Sequence, residues 1–161
     1  MTSSAEARRP DAAVRWGWKA FDALAPAELY AALRLRSEIF VVEQDCVFLD
    51  LDGRDPQCEH LLGQAGGELL AYLRLVPPGV RLAEVSIGRV VVAKSARGTG
   101  LGRAAMQEGI RRCEARYPGA PIKVSAQQHL ERFYASLGFA RIGEPYIEDG
   151  IAHLDMLRVP G

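Results

Sequence analysis

Cysteine, lysine and net charge are all scarce in this chain of 161 residues. The three cysteines, Cys46, Cys58 and Cys113, are odd in number and nowhere in C-x-x-C spacing. That excludes a disulfide framework and argues against a zinc site, so no metal is expected. Lysine occurs only at Lys19, Lys94 and Lys123, leaving arginine to carry most of the positive charge. Lysine and arginine together number 20, as do aspartate and glutamate, so no overall field draws the chain to nucleic acid or an acidic membrane surface. Neither is expected as a partner. No apolar run approaches the ~18 residues of a spanning helix, and the first ten residues lack the apolar core of a signal peptide. A reducing cytoplasm is the expected setting.

What is present is ordinary for one soluble domain: 48% hydrophobic and 25% charged residues. Residues 1–12 read as a flexible tail and 13–161 as a single domain. Val14 to Ala20 alternates like a strand, with Trp16 and Trp18 on one face. Pro26 suits a first helical turn, and the segment from there to about Glu43 places Leu29, Leu33 and Phe40 on one side. Asp50 to Pro56 reads as a solvated acidic loop. Leu61–Gly63 and Leu69–Val76, joined at Gly66-Gly67, make a hairpin closed by Pro77-Pro78-Gly79. Glu84–Ala93 is a further strand. Beyond it a helix runs to Tyr117 with Met106, Ile110 and Cys113 in its apolar stripe, and Pro118-Gly119 stops it. Pro121–Ala126 is strand-like. Leu130, Phe133, Tyr134 and Leu137 give a helical stripe that Gly138 caps. Two last strands, about 139–147 and 151–159, flank a turn at Glu148-Asp149-Gly150. This order predicts a mixed sheet with helices packed on it.

The stretch richest in chemistry is Arg97-Gly98-Thr99-Gly100-Leu101-Gly102, which follows the apolar run Val90-Val91-Val92-Ala93 and opens a helix. Glycines at such a turn let an anion approach the backbone, where the first helical N–H groups and the positive end of the helix dipole meet it. The dinucleotide fingerprint fails, because Arg103 stands where its third glycine belongs. The P-loop pattern fails too, for want of Gly-Lys-Ser/Thr. A nucleotide-binding enzyme is thereby disfavoured.

Arg-x-x-Gly-x-Gly at a helix start, followed some thirty residues later by Phe133-Tyr134-x-x-x-Gly138-Phe139, strongly resembles the GNAT acetyltransferase superfamily. A closer likeness to its ElaA-type branch rests on Arg36, Phe40-Val41-Val42-Glu43-Gln44, His60, Gly88-Arg89-Val90, Ala126-Gln127 and Glu148-Asp149-Gly150-x-x-His153. The resemblance implies an α/β (α+β) GNAT fold. It would have six to seven mostly antiparallel strands, one splayed parallel pair, and helices on both faces. It also implies acetyl-CoA as cosubstrate. The pyrophosphate would lie on Arg97, Gly98, Thr99, Gly100, Leu101 and Gly102, and the pantetheine arm along Val90, Val91 and Val92. The N–H of Val91 would polarise the thioester carbonyl.

Residue by residue, the resemblance makes Tyr134 the expected general acid for the departing sulfur, against a role in core packing alone. Gln127 stands where many members carry asparagine and keeps a primary amide for the pantetheine arm. Arg97 and Arg103 are candidate phosphate contacts, Lys94 and Arg132 weaker ones. Many members place a glutamate about eleven residues ahead of the loop, where this chain has Ser86. The candidate bases are therefore Glu84, Glu43 and His153, unless water relays the proton or the amine arrives neutral. Arg89, an arginine inside an apolar strand, either forms an ion pair with Glu43 or another carboxylate, or binds an acceptor carboxylate. Glu43 is a second acceptor-site candidate. His60 and His129 read as structural or exposed.

The function expected is transfer of an acetyl group from acetyl-CoA to a primary amine, small molecule or peptide, by direct attack in a ternary complex. The alternative is a non-catalytic acyl-CoA-binding sensor or interaction module. The chain would act as a monomer or homodimer.

Overall fold

A computed structural model describes residues 14–160, so the expected tail over 1–12 lies outside the described residues. Seven strands form one sheet in the order β1-β2-β3-β4-β5-β7-β6. They are β1 (Arg15–Ala20), β2 (Glu59–Ala65), β3 (Glu68–Val76), β4 (Val85–Val92), β5 (Ile122–Gln127), β6 (Ala140–Glu148) and β7 (Ile151–Arg158). Every neighbouring pair is antiparallel except β4 and β5, which run parallel. The helices are α1 (Pro26–Arg36), α2 (Leu101–Arg116) and the short α3 (Glu131–Ala135). The GNAT fold expected from the resemblance is the fold observed.

The helices cover both faces of the sheet. On one face α2 buries Leu101, Ala105, Met106, Ile110 and Cys113 against Leu73, Leu75, Ile87 and Val124. Gly109 permits this close seating, since a Cβ there would lie 3.0 Å from Cδ1 of Ile87. On the other face α1 and its continuation pack Ala32, Leu35 and Ile39 against Leu62, Tyr72 and Val91. Strand β3 is therefore buried on both sides from Leu69 to Val76, as a strand covered on both faces must be.

The stripe expected for the first helix is corrected. Leu29, Leu33 and Phe40 are only half-buried, while Ala32, Leu35, Arg36 and Ile39 are buried. Ser37–Glu43 continues α1 as a π-helix. The buried residues keep the 0-3-4-7 spacing of a helical face, one residue out of phase with the expected stripe, because Ala32 and the ion-paired Arg36 belong to it.

The solvated acidic loop is corrected as well. Asp50 and Asp55 are 3% and 6% exposed and meet arginines from three different elements. Arg36 donates through Nε to Asp50 Oδ2 at 2.9 Å and through Nη1 to Asp55 Oδ1 at 2.8 Å. Arg74, on β3, donates from Nη1 to Asp52 Oδ1 and Asp55 Oδ1, both at 2.9 Å. Arg89, on β4, has its Nε 2.8 Å from Asp50 Oδ1. His60 completes the cluster. Its Nε2 lies 2.9 Å from the Asp55 carbonyl and its Nδ1 2.7 Å from the Tyr72 hydroxyl. A carbonyl only accepts, so Nε2 carries the hydrogen and Tyr72 donates to Nδ1. Burial lowers the His60 pKa, in keeping with a neutral ring.

Burial opposes ionisation of Asp52 and Asp55, but hydrogen bonds from Arg74 and Arg36 outweigh it and hold both carboxyls below the ordinary range. Both are thus more acidic folded than unfolded. Their stabilisation is whole above the unfolded value of ~3.9 and is lost as pH falls below it toward the folded values. Asp55→Asn should cost about 3–5 kcal/mol at neutral pH, because two buried guanidiniums lose a carboxylate. Urea unfolding of the variant should also show a shallower loss of stability between about pH 5 and pH 3 than the parent.

Candidate active site

Strands β4 and β5 pair only at Val85↔Ile122 and Ser86↔Lys123, then part. From there a cavity of about 630 Å³ opens between them. Its walls include β4 from Ile87 to Val92, β5 from Ser125 to Gln127, and Phe133 and Tyr134 from the next helix. The β3–β4 register slips between Tyr72 and Arg74, where Leu73 faces two residues of β4, and Arg89 there adopts φ +52°. A bulge of this kind bends its strand and sharpens its twist. Here it lies at the level where β4 leaves β5.

The parting leaves backbone groups of β4 without a strand partner on that side. Ala93 donates to the Leu70 carbonyl at 2.8 Å. Ladder alternation then turns the N–H of Val91 toward β3 as well, and the N–H of Val92 into the cleft. The Val91 N–H, to which the resemblance gave the polarising role, therefore faces β3, and the N–H on the cleft side is that of Val92.

Arg97 and Gly102 also line the cavity, placing the glycine loop at its end. Gly98 and Gly100 take φ +74° and +84°, and a Cβ on either would meet nothing within 4 Å. They are required by conformation, and they leave an open, side-chain-free surface. Among the described residues no backbone carbonyl accepts the N–H groups of Gly98 to Gly102. Free donors at a helix N-terminus suit a diphosphate. Thr99 turns inward, its hydroxyl donating to the Ala96 carbonyl. Leu101 is buried beneath the loop. Arg103 lies over the Phe133 ring and donates to Ser136 Oγ at 2.6 Å, which ties α2 to the segment after α3.

Tyr134 is buried, edge-on to both Phe133 and Phe139. Burial pushes its phenol up to about 12, so it remains protonated at neutral pH. Among the described residues its hydroxyl has no hydrogen-bond partner, although the ring reaches the cavity wall. Gln127, across the cleft from β4, donates through Nε2 to Gln44 Oε1 at 3.1 Å.

The three candidate bases occupy different places. Glu84 is not part of the cavity wall, and its carboxylate lies 3.9 Å from Lys123. Glu43 lines the cavity but is engaged by Arg97 at 2.6 Å and Lys94 at 3.3 Å. The hydrogen bond from Arg97 is the largest influence on Glu43 and lowers its pKa, making it a weaker base. His153 lines the cavity with Nδ1 2.7 Å from the Ile151 carbonyl. A carbonyl only accepts, so Nδ1 carries a hydrogen there, while Nε2 has the Glu148 carboxylate 4.0 Å away. Arg89 pairs with Asp50, not Glu43, yet keeps one side on the cavity.

Several wall residues were not singled out from the sequence: Cys46, Phe48, Arg54 and Arg81. Cys46 donates through Sγ to the Asp149 carbonyl at 3.1 Å, a contact of the neutral thiol. Gln44 was marked only as the last residue of the Phe40–Gln44 stretch, and nothing local marks Cys46 or Arg81.

Residues 55–159 match the family model described as an acetyltransferase (GNAT) domain. The chain belongs to the GNAT acetyltransferase superfamily. Protein ElaA of Escherichia coli is 42% identical over 137 residues, 84% of this chain and 90% of that one. A UPF0039 protein of Synechocystis is 42% identical over 149 residues, 91% of this chain and 97% of its own. Among solved structures, an acyl-CoA N-acyltransferase from Pseudomonas aeruginosa superposes with TM-score 0.87 at 42% identity, covering 91% of this chain and 99% of that one. The crystal structure of Escherichia coli ElaA gives 0.85 at 39% identity, covering 90% and 99%. GNAT enzymes use acyl-CoA as cosubstrate, and the open loop and parted strands described above fit that ligand's phosphates and extended arm. No helix among the described residues is long and apolar enough to cross a membrane.

For this GNAT domain, Gly100→Ala should cost roughly 1–2 kcal/mol through its left-handed backbone alone. It should also weaken coenzyme A binding by placing a methyl group over the free N–H groups. Thermal unfolding and calorimetric titration of coenzyme A would measure the two effects separately.

Proposed function

We propose that this protein is an acetyl-CoA-dependent N-acetyltransferase that acetylates a primary amine by direct attack in a ternary complex. The observation that carries the reading is Tyr134, a protonated, partner-free phenol on the wall of the cavity that the parting of β4 and β5 opens. Arg97 and the free N–H groups of Gly98 to Gly102 bind the diphosphate, with Arg103 flanking them. The cleft-facing edge of Val90 to Val92 holds the pantetheine arm as an added strand would, and the Gln127 amide faces it from β5. The Val92 N–H polarises the thioester carbonyl at the point where negative charge develops.

An alkylammonium with pKa ~10.4 is not a nucleophile until it loses a proton. His153 Nε2 is the best-placed acceptor for that proton, since Glu43 is engaged by two cations and Glu84 lies off the cavity. Tyr134 hydrogen-bonds the departing sulfur, whose thiolate leaves more readily as a thiol. Arg89, already committed to Asp50, shapes the acceptor end and presents only its remaining edge to a substrate. Cys46 takes no covalent part, its thiol being held on the Asp149 carbonyl.

A panel of amino acids, polyamines, peptide N-termini and aromatic amines, assayed for acetyl-CoA-dependent thiol release, tests the function. With an active acceptor, Tyr134→Phe should lower kcat about 100-fold or more while coenzyme A affinity holds. Unchanged turnover would remove the acid role, and acetyl-CoA binding with no acceptor anywhere in the panel would favour the sensor.

A further inference from the structure

The end of the π-helix lies across the mouth of the cleft. Glu43 holds one lip, with Oε1 2.6 Å from Arg97 Nη2 and Oε2 3.3 Å from Lys94 Nζ. The next residue, Gln44, holds the other lip by accepting from Gln127 Nε2 at 3.1 Å. Two residues further on, Cys46 is fastened to the turn between β6 and β7 through the Asp149 carbonyl. Consecutive side chains of one segment thus engage both walls of the site. The groups they engage on the lips are those to which the proposed function assigns the diphosphate and the pantetheine arm.

A carboxylate beside Arg97 conflicts with an incoming diphosphate in two ways: it occupies the guanidinium, and it repels the anion. The side chains of Glu43, Arg97 and Lys94 are 28%, 46% and 60% exposed, so the pairs are screened and individually weak. A phosphate on a guanidinium is a stronger, bidentate contact. The diphosphate wins Arg97, and Glu43 is turned loose on the wall of the cavity that is also to receive a cationic amine. Resting on the acyl-CoA reading above, we propose that Glu43 is an internal competitor for the cofactor's phosphates. Their binding displaces it and frees its carboxylate to attract the acceptor's ammonium. The same residue then makes the empty site a poorer anion binder and the loaded site a better amine binder.

The test is calorimetric titration of coenzyme A into the parent and Glu43→Gln. Removing a competitor should tighten coenzyme A binding roughly three- to tenfold at low ionic strength, with the gain shrinking in ~0.5 M salt. A residue that merely holds Arg97 in place would give the opposite sign. Equal or weaker binding by a folded Glu43→Gln therefore overturns the proposal. If that variant lacks a cooperative thermal transition, Glu43→Asp keeps the charge but shortens its reach, and tighter binding is again expected. Absence of coenzyme A binding by the parent would instead strike at the acyl-CoA reading itself. With a cationic acceptor from the amine panel, Glu43→Gln should raise the acceptor KM more than it lowers kcat. An unchanged KM overturns the acceptor half of the proposal.

Discussion

A sheet that comes apart needs something else to hold it, and here that is a buried knot of charge. Arg36 at the end of α1, Arg74 on β3 and Arg89 on β4 converge on Asp50, Asp52 and Asp55 from a single loop. Three cations and three anions balance, so the interior carries no net charge there. Direction matters more than total strength. A buried ionic cluster is often no more stabilising than apolar residues of the same shape. It does fix which groups lie against which. It ties α1, the loop and the bulged stretch of β4 into one body on the face where the sheet is about to open.

The parting of β4 and β5 exchanges backbone pairing for a binding edge. An antiparallel or parallel ladder that ran to the ends of both strands would leave no free N–H or C=O for a ligand. After two paired positions the ladder stops, and the exposed edge of β4 offers the hydrogen-bonding pattern of a missing strand. Apolar valines can therefore line a site for a polar ligand, because the recognition is done by the chain and not by the side chains. The left-handed loop at 97–102 follows the same economy, presenting N–H groups on a surface from which side chains are absent.

Much of this was legible in the sequence, and what was missed has a common cause. The succession of elements along the chain, the turn at Glu148–Gly150, the cap at Gly138 and the loop–helix junction all rest on local rules of periodicity and glycine placement, and local rules can be read from one segment. The acidic stretch at 50–55 has the composition of a solvated loop. Its burial depends on arginines 14 to 39 residues away in sequence, which no local pattern announces. The inner face of the first helix was hidden likewise, since it includes Arg36, whose burial depends on Asp50 and Asp55, and so runs one residue off the leucines from which the stripe was counted. Arg89 was recognised as costly within its strand, but its partner lay on a segment that composition assigned to water. The base was ambiguous for a related reason: what surrounds Glu43, Glu84 and His153 decides among them, and only the fold supplies that.

The outer strand β6 is exposed along nearly its whole length and pairs with β7 alone. Its ladder slips between Ile142 and Tyr146, and the interval contains Gly143 and Pro145. A proline has no N–H to offer, and a slipped interval bends the strand, so an approaching strand finds no long straight row of donors and acceptors. Two of the sheet's open edges thus differ in kind. One is smooth, lies inside a cleft and can be filled by a slender molecule. The other faces outward and is broken up, which guards the chain against zipping onto its own copies.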